Sequence, residues 1–231
     1  MPVIRALAVD IDGTLTDKSR VLSPAAVAAM RGMKVPVVLV TGNTHCFTRA
    51  ASVLLGTPRI FIAENGGVVS HAENDMEILA DIQVCEAAFR ELCKLFPLER
   101  YSSARYRFTD IALKRNFDVK AALSYAKERS LPVDLIDTAY AVHIKDRRVN
   151  KGTGICRVAT RMQIDPKEFA AVGDSLSDMP MFELAGFRAS VGNASPELRA
   201  ASDYVAEAKY GDGFAEIVKH MIDTGLLSIP A

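Results

Sequence analysis

Short apolar segments of strand length alternate with segments of helical character, and this alternation limits the folds open to the chain more than any other feature. The strand-like runs lie at residues 3–11, 35–40, 59–63, 169–172 and 187–191. Continuous β-branched and aliphatic runs are typical of strands that are buried on both faces. Strands that alternate with helices pair in parallel. We therefore predict an α/β fold with a Rossmann-like parallel sheet as its core.

The alternation is interrupted between residues 82 and 150. Two helical patterns, at residues 85–96 and 119–129, are interspersed there with strand-like runs at residues 105–113, 133–136 and 140–144. This mixture is typical of an α+β unit. We predict a first part of the core at residues 1–81, an inserted α+β cap domain at residues 82–150, and a second part of the core at residues 151–231.

The charge balance argues against large anionic partners. The 231 residues contain 28 basic and 28 acidic side chains, so the formal net charge is zero and no global field attracts nucleic acid or an anionic membrane. No apolar run approaches the roughly 20 residues that span a bilayer. The four cysteines show no paired metal-ligand spacing and are predicted to be reduced thiols. We expect a cytoplasmic protein whose oligomeric state the sequence leaves open.

Residues that follow the predicted strands are the first candidates for function, because ligands of open α/β sheets bind beyond the carboxyl ends of the strands. Asp10 and Asp12 straddle the end of the first strand, just before Gly13. An ionisable side chain is costly at the end of a buried strand unless it is paired or binds a metal ion. The alternative is that Asp12 and Gly13 only form a turn.

A second acidic pair repeats this arrangement at the end of the strand at residues 169–172. Asp174 follows that strand, and Asp178 lies in the first turn of the next helix. Carboxylate oxygens grouped in this way suit a hard cation such as Mg²⁺. Alternatively, Asp178 only stabilises the N-terminus of its helix.

Neutral and cationic groups complete the candidate site. Thr41 ends the second predicted strand, and its hydroxyl together with the amide of Gly42 is suited to hold phosphate oxygens. Several carboxylates would repel a phosphate dianion, so a metal ion and a positioned ammonium are needed, and Lys151 is the candidate for the ammonium. By spacing alone, a solvated surface lysine beside Gly152 is the commoner interpretation.

Taken in order, these motifs resemble those of the haloacid dehalogenase superfamily of phosphatases. They are Asp10-Ile-Asp12-Gly-Thr-Leu-Thr, Thr41, Lys151 and Gly173-Asp174-x3-Asp178. Four further stretches are similar to its Cof-type branch: Glu64-Asn65-Gly66-Gly67, Asp178-Met179-Pro180-Met181, Gly192-Asn193-Ala194 and Gly211-Asp212-Gly213. The resemblance spans nearly the whole chain. The compact cap and Thr41-Gly42-Asn43 bring it closest to archaeal phosphoglycolate phosphatases.

The resemblance implies a role for each motif residue. Asp10 would be the nucleophile and a metal ligand, and Asp12 would be the general acid and base as well as a ligand through its backbone carbonyl. Asp174 and Asp178 would complete a Mg²⁺ site. Thr41, Gly42 and Lys151 would hold the phosphoryl oxygens. Enzymes of this branch often carry Arg where this chain has Asn43, so a direct transfer of sugar-phosphate specificity is not expected.

The favoured prediction is a phosphatase that acts on a small phosphorylated metabolite, with 2-phosphoglycolate as substrate. Alternatives are a sugar-phosphate phosphatase of the same superfamily, a phosphomutase and a catalytically silent metabolite-binding protein. The core motifs bind only the phosphoryl group and the metal ion, so the cap must distinguish one substrate leaving group from another. Its candidates for binding a substrate carboxylate are Arg105, Arg107, Lys114 and Arg115, although a place on a solvated sheet face is the commoner interpretation for any one of them.

Overall fold

The computed structural model describes residues 3–138 and 140–227. Its strands are β1 (Ala6–Val9), β2 (Val37–Val40), β3 (Phe61–Ala63), β4 (Val68–Ala72), β5 (Asp75–Ile78), β6 (Asp110–Leu113), β7 (Val133–Asp137), β8 (Val142–Asp146), β9 (Phe169–Gly173), β10 (Phe187–Ser190) and β11 (Tyr204–Val205). Its α-helices are α1 (Pro24–Gly32), α2 (His45–Leu55), α3 (Ile82–Leu92), α4 (Val119–Glu128), α5 (Lys151–Met162), α6 (Met179–Phe182), α7 (Pro196–Ala200) and α8 (Tyr210–Asp223). None of these helices is both long enough and apolar enough to span a membrane.

The larger sheet has eight strands in the order β11-β10-β9-β1-β2-β3-β4-β5. Its first six strands pair in parallel, with β1 between β2 and β9. This confirms the predicted α/β fold with a parallel core. At one edge, β4 and β5 run antiparallel to their neighbours. The strand β5 was not predicted, because its sequence, Asp-Met-Glu-Ile, is largely exposed and lacks a continuous apolar run.

Helices cover both faces of the larger sheet. Along β1, Leu7 and Val9 pack into one apolar cluster, whereas Ala6 and Ala8 pack into another, as the two-residue period of a strand requires. The first cluster includes residues of α1 and α8, and the second includes residues of α5, α6 and α7. Burial on both faces explains why the strand residues are apolar without interruption.

The smaller sheet has three antiparallel strands in the order β6-β8-β7. Its apolar cluster joins α3 and α4 to the strands, with Cys85, Leu92, Ala122 and Ile144 almost fully buried. These elements lie within residues 82–150. The assignment of this segment as a separate cap domain stays a prediction.

One predicted strand of this segment is only partly correct. The prediction covered residues 105–113, but Ser102–Tyr106 forms a 3₁₀ turn and β6 begins at Asp110. The amides of Phe108 and Thr109 donate to the Glu64 carboxylate, at 2.9 Å each, instead of to a neighbouring strand. The Glu64 side chain, which comes from the turn after β3, therefore accepts the hydrogen bonds that a neighbouring strand would otherwise accept.

The chain crosses between the two sheets at residues 79–81 and at residues 147–150, and both crossings contact one glycine pair. The amide of Leu79 donates to the carbonyl of Gly67 at 2.8 Å. Gly66 has a φ of 97°, and a Cβ atom there would lie 1.9 Å from the carbonyl oxygen of Asn150. Only glycine fits this left-handed, crowded position.

Candidate active site

Three predicted site residues lie at the ends of neighbouring strands. Asp10 directly follows β1, Thr41 follows β2 and Asp174 follows β9. Because β2 and β9 both pair in parallel with β1, their carboxyl ends lie at the same edge of the sheet. The prediction that residues at the ends of parallel strands lie close together is therefore correct for these three residues.

Asp10, Asp174 and Asp178 form an acidic cluster in which one carboxylate oxygen from each lies within 4.8 Å of the others. Asp10 is 5% exposed and Asp178 is fully buried. Burial, reinforced by the charges of Asp178 and Asp174, raises the pKa of Asp10 above its ordinary value, although Lys151 acts in the opposite direction. Burial and the Asp178 charge also raise the pKa of Asp174, to about 7.

Lys151 is the cation of this cluster. It is the first residue of α5, whose N-cap is Asn150, and it is 3% exposed. Its Nζ atom donates to Oδ1 of Asp10 at 2.7 Å and to Oδ1 of Asp178 at 2.5 Å. Burial alone would lower the pKa of Lys151, but the two carboxylates outweigh burial and raise it. The surface-lysine interpretation therefore does not apply.

Asp178 also organises the loop that follows β9. Its Oδ2 atom accepts hydrogen bonds from the backbone amides of Asp174 and Ser175, at 3.0 Å each. With Oδ1 bound to Lys151, both oxygens of Asp178 have protein partners. Asp178 thus fixes the backbone that carries Asp174 and holds the ammonium beside Asp10.

Asp12 lies apart from the acidic cluster, and its side chain is 23% exposed. Arg20 donates to both of its oxygens, at 2.9 and 3.2 Å, and Asn43 Nδ2 donates to Oδ2 at 2.5 Å. The guanidinium of Arg20 also lies 5.4 Å from the centre of the Tyr140 ring, which belongs to the segment of the smaller sheet. The carboxylate of Asp12 is therefore oriented by Asn43 and by Arg20, which none of the quoted motifs includes.

Thr41 and Gly42 begin a loop, residues 41–43, that Asn43 holds together. The backbone amide and the side-chain amide of Asn43 both donate to Thr41 Oγ1, at 3.1 Å each. A Cβ atom on Gly42 would lie 2.9 Å from Oδ1 of Asn65, so the loop packs closely against the turn after β3. Asn43 thus has a role of its own in place of the arginine that is common in the Cof-type branch.

A cavity of about 820 Å³ opens onto the acidic cluster. Its lining combines the candidate site with the smaller sheet: Asp10, Asp12, Gly42, Lys151 and Asp174 on one side, and Leu135, Thr138 and Tyr140 on the other. The two sheets therefore face each other across the site.

The four cap cations named as candidates for binding a substrate carboxylate do not line this cavity. Lys114 pairs with Glu99, Arg115 with Asp137 and Arg107 with Asp110, and Arg105 lies over the ring of Tyr106. Lys18 and Lys127 do line the cavity, and among the residues described neither has an ion-pair partner. Sequence reasoning missed both lysines because nothing in their spacing separates them from surface lysines.

The donor set of the acidic cluster fits a hard divalent cation. It offers carboxylate oxygens, which Mg²⁺ and Ca²⁺ prefer, and the oxygens are close enough to share one ion. Burial is the main cause of the raised pKa of Asp174, and the nearby charge of Asp178 adds to it; a bound cation would offset this charge. Asp10 and Asp174 are the residues best placed to bind such an ion, since Lys151 and backbone amides already occupy Asp178.

Comparisons with known proteins agree with this geometry. Residues 7–139 and 135–218 match the family model of haloacid dehalogenase-like hydrolases. The chain is 53% identical over 225 residues to a phosphoglycolate phosphatase of Methanothrix thermoacetophila, covering 97% of this chain and all of the relative. It is 41% identical over 222 residues to a phosphoglycolate phosphatase of Methanosarcina acetivorans, covering 96% and 98%. The crystal structure of Thermoplasma acidophilum 0175 superposes with a TM-score of 0.87 at 26% identity, covering 97% and 100%.

Proposed function

Because the chain belongs to the haloacid dehalogenase-like hydrolases, a family of phosphatases, we propose that it hydrolyses 2-phosphoglycolate to glycolate and phosphate with Mg²⁺ as cofactor. The observation that carries the proposal is the cluster of Asp10, Asp174 and Asp178 around Lys151 at the base of the cavity. Relatives at 53% and 41% identity bear the name of this activity.

Asp10 is the proposed nucleophile. Its Oδ1 atom is held by Lys151, which leaves Oδ2 without a partner among the described residues. Attack of an Asp10 oxygen on phosphorus forms an O–P bond as the bond from phosphorus to the leaving oxygen breaks, and an aspartyl-phosphate results. Lys151 holds the attacking carboxylate in place and offsets its charge while the phosphate dianion approaches.

Asp12 is the proposed general acid and base. It gives a proton to the leaving glycolate oxygen and then takes one from the water that attacks the aspartyl-phosphate, which releases phosphate and restores Asp10. Arg20 and Asn43 orient its carboxylate toward this task. Thr41 and Gly42 would hold the phosphoryl oxygens by hydrogen bonds.

Asp10, Asp174 and the backbone carbonyl of Asp12 would hold the Mg²⁺ ion, and Asp178 would act beside it. A bound Mg²⁺ ion offsets the negative charge of the carboxylates and of the phosphoryl group. Asp178 keeps Asp174 and Lys151 in position through its contacts with both segments.

A small acidic leaving group fits the charges in the rest of the cavity. Lys18 comes from the loop after β1, and Lys127 comes from α4 of the smaller sheet's segment. Both ammonium groups are free of carboxylate partners in the part of the chain that the structure describes, so either can bind the substrate carboxylate. This replaces the predicted role of the paired cap cations.

A substrate panel tests the proposal. Phosphate release is measured from 2-phosphoglycolate, hexose phosphates and other small phosphomonoesters, with Mg²⁺ and with chelator. Turnover of 2-phosphoglycolate is expected only with Mg²⁺, and Asp10→Asn is expected to abolish it. Asp223→Asn, which alters an exposed residue of α8, is the control and retains full activity. A preference for hexose phosphates, or a requirement for a bisphosphate activator, would contradict the proposal.

A further inference from the structure

We propose that Arg107 is a positioning residue through which the smaller sheet holds the phosphate-binding loop, residues 41–43, in its binding conformation. The inference rests on the proposed function, because it takes Thr41 and Gly42 to bind phosphoryl oxygens. The inference goes beyond the proposed function, because it makes phosphate binding by Thr41 and Gly42 depend on a residue from the segment of the smaller sheet. Arg107 lies between a 3₁₀ turn and β6, 65 residues beyond Gly42.

The contact itself is a double hydrogen bond. Nη1 and Nη2 of Arg107 donate to the carbonyl oxygen of Gly42, at 3.1 and 3.0 Å. The Arg107 side chain is 7% exposed, so water competes little for these bonds. A planar guanidinium that donates twice to one oxygen restricts the orientation of the Gly42 carbonyl more than a single donor would.

Arg107 is itself held in place by Asp110. Nη1 donates to Oδ1 of Asp110 at 2.6 Å, and this carboxylate is fully buried. Its other oxygen accepts from Nδ1 of His143 at 3.0 Å and from Nδ2 of Asn65 at 3.3 Å. A buried arginine with this many fixed partners has little rotamer freedom, so it can act as a rigid support.

The effect of Arg107 reaches Thr41 through one peptide unit. The Gly42 carbonyl belongs to the same peptide plane as the Asn43 amide, and that amide donates to Thr41 Oγ1. The Asn43 side chain donates to the same oxygen, so both acceptor positions of the hydroxyl are used and its hydrogen is left to donate. The Gly42 amide likewise has no acceptor among the described residues. Two donors are therefore available for phosphoryl oxygens.

Arg107 does not line the cavity, so it has no direct path to substrate. Its influence passes through Gly42, which does line it. If the smaller sheet moves away from the larger one, the carbonyl of Gly42 loses its partner and the loop is free to change conformation. Phosphate affinity is thereby tied to the contact between the two sheets.

The test compares Arg107→Ala and Arg107→Lys with Arg105→Ala as the matched control. Arg105 lies in the adjacent 3₁₀ turn, but its side chain lies over the ring of Tyr106 and it does not line the cavity. Binding of inorganic phosphate is measured by calorimetry in the presence of Mg²⁺, and KM and kcat are measured with 2-phosphoglycolate. Loss of a hydrogen bond from a charged donor predicts about a tenfold increase in the phosphate Kd and in KM for both Arg107 variants. A smaller change in kcat and no change for Arg105→Ala are expected.

Chemical rescue separates positioning from a general loss of structure. Millimolar guanidinium is expected to restore the phosphate affinity of Arg107→Ala, whereas the same concentration of urea is not. If Arg107→Ala does not fold, Arg107→Lys decides, because it keeps a positive charge beside Asp110 but cannot donate two parallel bonds. Phosphate Kd and KM within twofold of wild type in a folded Arg107 variant would overturn the inference.

Failure of the proposed function can be distinguished from failure of the inference about Arg107. Wild-type protein that binds phosphate but hydrolyses no phosphomonoester would contradict the proposed function and leave the comparison of phosphate affinities valid. Wild-type protein that hydrolyses 2-phosphoglycolate, with a KM that stays within twofold in both Arg107 variants, would overturn the inference and leave the proposed function valid.

Discussion

The Nζ atom of Lys151 lies 2.7 Å from Oδ1 of Asp10, and both side chains are almost completely buried. The same ammonium lies 2.5 Å from Oδ1 of Asp178. It is therefore the shared counter-charge of two buried carboxylates that are far apart in sequence, one at the end of β1 and one in the turn that follows β9. This relationship makes Lys151 important for stability as well as for chemistry.

Lys151→Met is expected to lower the free energy of unfolding at pH 7 by about 3–5 kcal/mol, because it leaves buried carboxylates without a cation. Urea unfolding in the presence of chelator measures the change. Lys219→Met, at an exposed position of α8, is the control and is expected to change stability by less than about 0.5 kcal/mol. Equal stability of the Lys151 variant and the wild type would contradict the assignment of Lys151 as the counter-ion.

Mg²⁺ is expected to raise the melting temperature of the wild-type protein, because an ion that binds only the folded state stabilises it. At a hundredfold excess over Kd, the expected increase is about 5–10 °C. Asp174→Asn is expected to lose most of this increase. It should also melt above the wild type in chelator, since it removes one of three crowded carboxylates. Thermal melts with Mg²⁺, with chelator and with Na⁺ at matched ionic strength check both points, and an equal Mg²⁺ effect in the variant would exclude Asp174 as a ligand.

Glu64 predicts a distinct pH dependence of stability. Burial and the nearby Asp110 charge raise the pKa of Glu64 to about 7. The folded state therefore binds more protons than the unfolded state between the ordinary pKa of a glutamate and pH 7, so the free energy of unfolding falls as pH rises through this range. The loss can reach about 3 kcal/mol.

Glu64→Gln removes this titration and is expected to flatten that part of the stability profile. Urea unfolding at pH 5 and pH 8 gives the comparison, with Glu99→Gln at an exposed position as the control. The free energy of unfolding of Glu64→Gln minus that of the wild type is expected to be larger at pH 8 than at pH 5. Parallel profiles would show that the Glu64 carboxyl is not perturbed.

Much of the larger sheet and its strand-end residues was predictable from sequence. Asp10, Thr41 and Asp174 follow buried apolar strands, and parallel pairing brings such ends to one edge, so pattern alone places them together. The role of Lys151 was harder to predict, because sequence spacing does not distinguish a buried lysine from a surface lysine. Only the resemblance to a family gave it a role in advance.

The supporting residues were not predictable in the same way. Arg20 lies in a turn eight residues after Asp12, and Arg107 lies in the part of the predicted strand 105–113 that is not a strand in the structure. Their partners are set by how loops pack across the molecule, and neither periodicity nor motif spacing encodes that packing. The same reason explains why the predicted cap cations were paired elsewhere while Lys18 and Lys127 line the cavity.

The glycine pair that touches both crossings between the sheets has a mechanical consequence. Because Gly67 binds the outgoing strand connection and Gly66 packs on the returning one, the two covalent tethers of residues 82–150 are pinned at a single point. Tethers pinned together permit rotation about that point but resist sliding. We therefore expect an opening of the cavity to be a rotation of residues 82–150 about the glycine pair, one that breaks the contacts of Tyr140 with Arg20 and of Arg107 with Gly42.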